Sequence, residues 1–415
     1  MGLDVRQMHA NKKQTINFVA AANVPSSITR LITEYANCLV GKGFEVIISF
    51  PVINHWDHHQ YWIRRSSDLS QSIVSRLRYL YRLLRPPLKR VIGYLLGIKY
   101  REWQGKILYK IDDRVQLDQF VLTPTNNNMP DADYIFVMQN YLIPRLLYLQ
   151  KRKGVIVGSL HMDYLAGMND QDSIVSDWWS LVCSIDQRLN VPLIAVSRQV
   201  KGVAQHLGIR VDGVIHNGID LKHFTDGGRR GELTPLTVTL FCATHPQKGL
   251  EFGCQVVREL RKEFSPDQVV LCSVGDLKPE HLELFDVNPG YLGPTAYAKM
   301  YQNTDIVIYP SLYDAFPGPP LDAMASGCAL ATTLVAGVEE YAVHRENCMV
   351  AMPNDVRTMV SNVKMLIQDY KLRDKIRENG LSTAKKFSWD LVTDELINCL
   401  SQLPPGNKGK AGRAS

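Results

Sequence analysis

A chain of 415 residues is too long for one ordinary hydrophobic core, and its length suggests two or three domains. An apolar share of 45% and a charged share of 21% fit a soluble globular protein and exclude a disordered chain. The net charge of +6 hides an imbalance: twelve Lys and Arg against Asp68 and Glu102 give residues 64–110 a charge of +10, which leaves −4 for the rest.

The amino-terminal stretch MGLDVRQMHANKKQT has no apolar leader core, and Arg6 stands where an N-myristoylation site needs Ser or Thr. No apolar run approaches the ~18–20 residues of a membrane span, so a soluble or peripheral protein is expected. The eight cysteines form no C-x-x-C pair and fall in apolar runs such as VVLCSVG and GCALATT. That pattern predicts reduced, buried thiols in a cytoplasmic protein.

Thr15–Phe50 reads as a strand, a loop, an amphipathic helix ending near Gly41 and a second strand. Its strands lack clean alternation, as parallel strands buried on both faces do. In the loop Ala21–Thr29, Ser26 or Ser27 suits a helix N-cap. NHWDHHQ, residues 54–60, offers His55, Asp57, His58 and His59. Adjacent histidines in a strand face opposite ways, and no complete zinc-like spacing accompanies them.

The basic segment places Ile73, Leu77, Leu80, Leu83 and Leu84 at helical spacing among Arg76, Arg78, Arg82 and Arg85, with Lys89 and Arg90 following. It suits contact with an anionic membrane surface or an acceptor held there. It also suits an amphipathic helix that covers a sheet and keeps its charges in water. No nucleic-acid-binding motif accompanies the charge, so nucleic acid is not an expected partner.

Farther along, Asp131–Asp133 (DAD) superficially matches a metal-binding DxD, but it directly precedes YIFVM and marks a strand entry. Strands are predicted at 133–139, 154–161 and 192–197, then the helix RQVKGVAQHLGI and the strand GVIHNG. His161 ends the second of these, where a satisfied core or surface histidine is the commoner reading. After a glycine- and charge-rich stretch at 226–235, a second set of strands is predicted at 236–243, 268–275, 305–311 and 328–333. The alternation of strand and helix predicts α/β architecture with parallel sheets.

YDAFPGPPLDAMASG, Tyr313–Gly327, follows the third strand of that second set. Pro319 and Pro320 fit the first turn of a helix, which puts Asp322 in that turn and Gly327 at its end. Amides near Gly318, Leu321, Asp322 and Ala323 are then available to an anion. The simpler alternative is that Asp322 complements the helix dipole and Asp314 caps a turn.

The stretch resembles the Glu-x7-Glu signature of family 4 retaining glycosyltransferases, E-G-F-G-L-P-x-x-E-A-M-A-x-G, here with both acids as Asp. Asp314, Phe316, Pro319, Asp322, Ala323, Met324, Ala325 and Gly327 keep its register. VIHNGIDLKHF (214–224) is similar to the family's V-I-P-N-G-V-D-x-x-x-F, HPQKGLEFG (245–253) to its Lys-Gly segment, and 337–355 to its late loop. Where the family has Gly-Arg-Leu ahead of that Lys-Gly, this chain has Cys242, Ala243 and Thr244.

The resemblance implies two facing Rossmann-like domains, the GT-B fold, with an interdomain cleft. The expected division is an N-terminal acceptor-binding domain over 1–220 with the basic insertion 64–110, and a nucleotide-sugar-binding domain over 221–387. A helix over 388–403 is expected to cross back to the N-terminal domain, ahead of a disordered tail at 404–415. The activity implied is metal-independent transfer of a sugar from a nucleotide donor to a glycan or lipid-linked acceptor, without a cofactor, at the inner face of the cell membrane. Lys248, Asp314, Phe316, Gly318, Leu321 and Asp322 would hold the donor. Asp314 and His161 would face the reacting sugar, His161 orienting it or shielding charge. A nucleotide-sugar epimerase and a non-catalytic glycan-binding or scaffold protein derived from such an enzyme are the alternatives.

Overall fold

The computed structural model describes residues 13–20, 27–52, 111–121, 129–148, 154–161, 173–228, 231 and 234–403. Arg76, Arg78, Arg82, Arg85, Lys89 and Arg90, the whole basic segment, residues 54–60, Ser26 and the tail 404–415 lie outside them.

The first half builds one sheet from β1 (Thr15–Val19), β2 (Glu45–Val52), β3 (Gln116–Val121), β4 (Tyr134–Val137), β5 (Val155–Leu160), β6 (Leu193–Ala195) and β7 (Gly213–Val214). Their order is β3-β2-β1-β4-β5-β6-β7, and the ladders of β1 with β2 and β4 are parallel. Helix α1 (Ser27–Gly41) carries the chain from β1 to β2, and α2 (Ile143–Tyr148), α3 (Ser173–Asp186) and α4 (Arg198–His206) follow β4, β5 and β6. Ile16, Phe18, Ile135 and Val137 are all at or near zero exposure, the double-sided burial that their unalternating runs predict. Asp133, just before β4, accepts from the Thr15 amide at 2.9 Å, so the second acid of DAD serves the strand entry.

The second half builds a five-stranded sheet from β8 (Leu236–Cys242), β9 (Val269–Gly275), β10 (Ile306–Tyr309), β11 (Ala329–Thr333) and β12 (Met349–Ala351). The order is β12-β11-β10-β8-β9, parallel throughout. Helices α5 (Leu250–Glu263), α6 (Pro294–Gln302), α7 (Gly318–Ala325), α8 (Val356–Gln368), α9 (Tyr370–Lys385) and α10 (Trp389–Gln402) complete it. Val238, Leu240, Ile306, Ile308, Ala329 and Ala331 pack with Val256, Leu260, Met359, Val363 and Leu366 in one buried hydrophobic cluster. Both halves are therefore parallel-sheet α/β structures, as the strand–helix alternation predicts.

Two compact units partition the chain: one contains Met1–Gly158 and Tyr164–Val191, the other Ser159–Asp163 and Pro192–Pro404. Within the second, α10 lies along β7 and the stretch after it. A side chain at Gly218 would meet the Trp389 ring at 2.4 Å, and one at Gly213 would meet Cys399 Sγ at 2.9 Å. All eight cysteines are free thiols. Burial pushes the Cys242 and Cys348 thiols up to about 12, which keeps them unreactive. Among the described residues no helix is long and apolar enough to cross a membrane.

Candidate functional site

In an open parallel sheet, ligands bind beyond the carboxyl ends of the strands where the order reverses. In the second sheet that point lies between β8 and β10, which pair with one another although β9 comes between them in the chain. Lys248 follows β8 and Asp314 follows β10, so the two loops meet at the reversal.

Local backbone chemistry draws them together. His245 caps a single 3-10 turn over Pro246–Lys248, and Gly249 then turns left-handed at φ +65°. A β-carbon on Gly249 would lie 2.0 Å from the Pro310 carbonyl oxygen, so only glycine fits there. The Gln247 carbonyl accepts from the Leu312 amide (2.7 Å), the Tyr313 amide (3.1 Å) and the Ser311 hydroxyl (3.1 Å). The Lys248 ammonium thereby reaches Asp314 Oδ2 and forms an ion pair, with the side chains still 30% and 15% exposed. Tyr309, at the end of β10, donates its hydroxyl to the same oxygen at 2.5 Å. No described protein group donates to Asp314 Oδ1.

The Asp314–Phe316 backbone is braced from two sides. Gly337 donates its amide to the Asp314 carbonyl at 3.0 Å, and a β-carbon there would sit 2.3 Å from Phe316 Cα. Asn217 donates to the Phe316 carbonyl at 3.1 Å. The Phe316 ring is buried among His216 (5.0 Å between centroids), Phe387 (5.7 Å) and Tyr341 (5.9 Å). His216 in turn lies 3.2 Å from Glu340 Oε2, and Glu340 Oε1 accepts from the Arg198 amide at 2.6 Å.

Helix α7 starts at Gly318, one residue earlier than Pro319, and this corrects two expectations. Asp322 falls in its second turn and is 1% exposed, with Oδ2 lying 4.0 Å from where a Gly318 side chain would be. The four amide positions that a helix start leaves unpaired are Pro317, Gly318, Pro319 and Pro320. Only Gly318 has an N–H there, and the amides of Leu321, Asp322 and Ala323 turn inward to the helix ladder. The amides in this stretch that no described group accepts are instead those of Asp314, Ala315, Phe316 and Gly318. Leu321 itself is buried at 1%.

His161 follows β5, with Nε2 2.5 Å from Ser159 Oγ. It makes no hydrogen bond or ion pair with Lys248, Asp314 or Asp322. Desolvation by its surroundings pushes its imidazole down to about 4, so the ring is neutral near pH 7. Arg198 pairs with Glu340 at 3.4 Å and leaves most of its side chain in solvent.

Among the described residues, Glu251, Glu280 and His281 come close enough to share a cation. Lys278 already neutralises Glu251 at 2.6 Å, and Arg258 donates to His281 Nδ1 at 3.2 Å. That arginine obliges Nε2 to carry the proton, and it points at Glu251 Oε2, 3.0 Å away. Two of the three groups are thus already engaged by neighbouring cations, Glu251 by Lys278 and His281 by Arg258.

Tyr309, Asn217, His216, Gly337 and Glu340 are absent from the residues singled out by sequence. Asn217, His216, Gly337 and Glu340 do sit inside stretches that carry the family resemblance, which was the available signal. Tyr309 had none.

Residues 236–369 match the family model described as Glycosyl transferases group 1. The chain is 25% identical over 162 residues to the uncharacterized glycosyltransferase MJ1607 of Methanocaldococcus jannaschii, covering 37% of this chain and 41% of that one. It is 32% identical over 114 residues to O-antigen chain mannosyltransferase B of Escherichia coli, covering 28% and 29%. The chain thus matches less than half the length of either relative. Among solved structures, Anabaena Alr3699/HepE in complex with UDP and glucose superposes with a TM-score of 0.62 at 14% identity, covering 94% of this chain and all of that one. At that identity the likeness is one of fold.

Two measurements check this geometry. Gly337→Ala should destabilise the protein by about 2 kcal/mol in urea unfolding, because the added methyl overlaps backbone that has no room to yield. His161 binds its proton less readily folded than unfolded, so stability should fall as pH drops from about 6.5 towards 4. In His161→Gln that fall should be shallower, by something under ~1.4 kcal/mol per pH unit.

Proposed function

We propose that this chain, whose residues 236–369 match the group 1 glycosyl transferase model, is a retaining family 4-like glycosyltransferase that moves a hexosyl group from a nucleotide sugar to the hydroxyl of a glycan or lipid-linked acceptor. The observation that carries the reading is the Lys248–Asp314 pair at the strand-order reversal of the second sheet, inside the matched residues.

Each group has a task in that reaction. Lys248 leaves Asp314 to meet the donor diphosphate, and the unpaired amides of Asp314, Ala315, Phe316 and Gly318 add partial positive charge where the leaving group becomes more anionic. This protein-borne field is the proposed substitute for a metal ion, and no cofactor is invoked. The open Oδ1 of Asp314 takes a hydroxyl of the donor sugar. Asp322, beneath the side-chain-free Gly318, takes the ribose hydroxyls. Phe316 and Leu321 hold the loop and helix that carry these groups. The neutral His161 orients the sugar or accepts a hydrogen bond near the anomeric centre without adding charge.

A partly exposed ion pair such as this is worth on the order of 1 kcal/mol, so the donor can displace it at modest cost. The N-terminal half is assigned the acceptor. Its +10 segment, residues 64–110, is proposed to hold the enzyme on an anionic inner membrane face, at ~1 kcal/mol per basic residue near the lipid.

In a thermal-shift screen against UDP-, GDP-, ADP- and dTDP-sugars, at least one should raise the melting temperature, and Lys248→Ala and Asp322→Ala should each abolish most of that rise. No shift from any of them would end the donor assignment. Sedimentation with vesicles containing anionic lipid should be strong at low salt and lost at high salt. Binding that ignores both lipid charge and salt would end the electrostatic part of the proposal.

A further inference from the structure

We infer that Tyr309 is a positioning residue for Asp314: its hydroxyl fixes one carboxylate oxygen so that the other stays turned towards the donor sugar. The inference rests on the donor site proposed above and concerns how that site keeps its shape while the donor enters.

Tyr309 is the last residue of β10 and is 1% exposed. Its ring packs on Phe241 of β8, with centroids 5.5 Å apart, so the phenol cannot swing away. A buried hydroxyl needs a partner, and this one reaches Asp314 Oδ2 at 2.5 Å across Pro310 and the turn beyond it. Burial first, then the charge of Asp314, raises the phenol well above its ordinary range, so the group stays a donor at any pH the protein meets.

Lys248 donates to the same oxygen, and the two holders differ in kind. The ammonium sits on a flexible stem, 30% exposed, and is the group that must turn to a diphosphate. Tyr309 is rigid and enclosed. When Lys248 leaves, Tyr309 alone keeps the carboxylate from rotating, and Oδ1, to which no described group donates, remains the oxygen available to a ligand. An aspartate has one torsion fewer than a glutamate, so a single fixed oxygen is enough to set the other.

The test uses Tyr309→Phe, which keeps the ring and its packing and removes one oxygen atom. Calorimetry would compare wild type and variant against the nucleoside diphosphate glucose that most raises the wild-type melting temperature (from UDP-, GDP-, ADP- and dTDP-glucose), and against the matching bare nucleoside diphosphate. Tyr309→Phe should bind the nucleotide sugar about tenfold more weakly, the scale of a lost hydrogen bond to a charged group. It should bind the bare diphosphate within about twofold of wild type, since the Asp314 carboxylate is assigned to the sugar alone and its backbone amide is unchanged in the variant. In an Asp314→Ala background, which has no oxygen left to accept the hydroxyl, the tyrosine substitution should add no further loss. A merely structural role would weaken both ligands alike. That result, or unchanged binding of both, overturns the inference. Failure of the wild type to bind any of the four sugars instead overturns the donor site itself, and this inference with it.

Discussion

One carbonyl group organises the candidate site. The Gln247 oxygen accepts two amides and a hydroxyl from residues 311–313, and through it the loops after β8 and β10 become one surface. Neither loop could bring a cation to a carboxylate alone, because each leaves its strand in a direction set by the sheet. The left-handed Gly249 makes the junction possible by letting the chain pass within contact of the Pro310 carbonyl before α5 begins. Lys248, next to both, is carried to Asp314 by the backbone rather than by a search of its own long side chain.

The electrostatics then follow from what the prolines remove. A helix that begins Pro-Gly-Pro-Pro keeps its dipole but gives up three of the four amides that would ordinarily greet an anion. The donors are displaced upstream into the irregular stretch 314–316, whose carbonyls are tied to Gly337 and Asn217 while its amides stay unpaired. With Cys242, Ala243 and Thr244 supplying no cation, the positive field that the described residues place at this point comes from Lys248 and a row of peptide groups. Such a field is short-ranged and directional, which favours a ligand whose charge sits in one place over a diffuse polyanion.

How much of this could be read from the chain differs by element. Strands β8 to β11 emerge from the sequence to within two residues, since each is a β-rich apolar run flanked by helical pattern. The two-residue error at the end of β10 is Pro310 and Ser311, where a residue without an N–H leaves the ladder. By contrast β3, with Gln116, Asp118 and Gln119, sits at the sheet edge and carries almost no burial signal. The register of Asp314, Asp322 and Lys248 is legible as resemblance. The depth of Asp322 is not, because a one-residue shift in where α7 starts moves the acid from the first turn to the second and from the surface to the core. The Tyr309 contact is invisible to periodicity, since it bridges five residues through a turn that belongs to neither helix nor strand.

The shorter acids find their physical counterpart here. An aspartate in place of a glutamate loses one methylene of reach, and the backbone must supply the difference. Gly337, with no room for a side chain, lets its strand-end loop press directly on Phe316 and holds the Asp314 carbonyl from behind. Asn217 holds the next carbonyl but one from the opposite direction, and the Phe316 ring is wedged among three others. The position of the carboxylate is thus set by main-chain contacts and packing, with few side-chain torsions left to freeze when a ligand arrives. Less ordering entropy is then spent on binding. Flexibility is concentrated instead in Lys248, whose ammonium rides on a long, 30% exposed side chain.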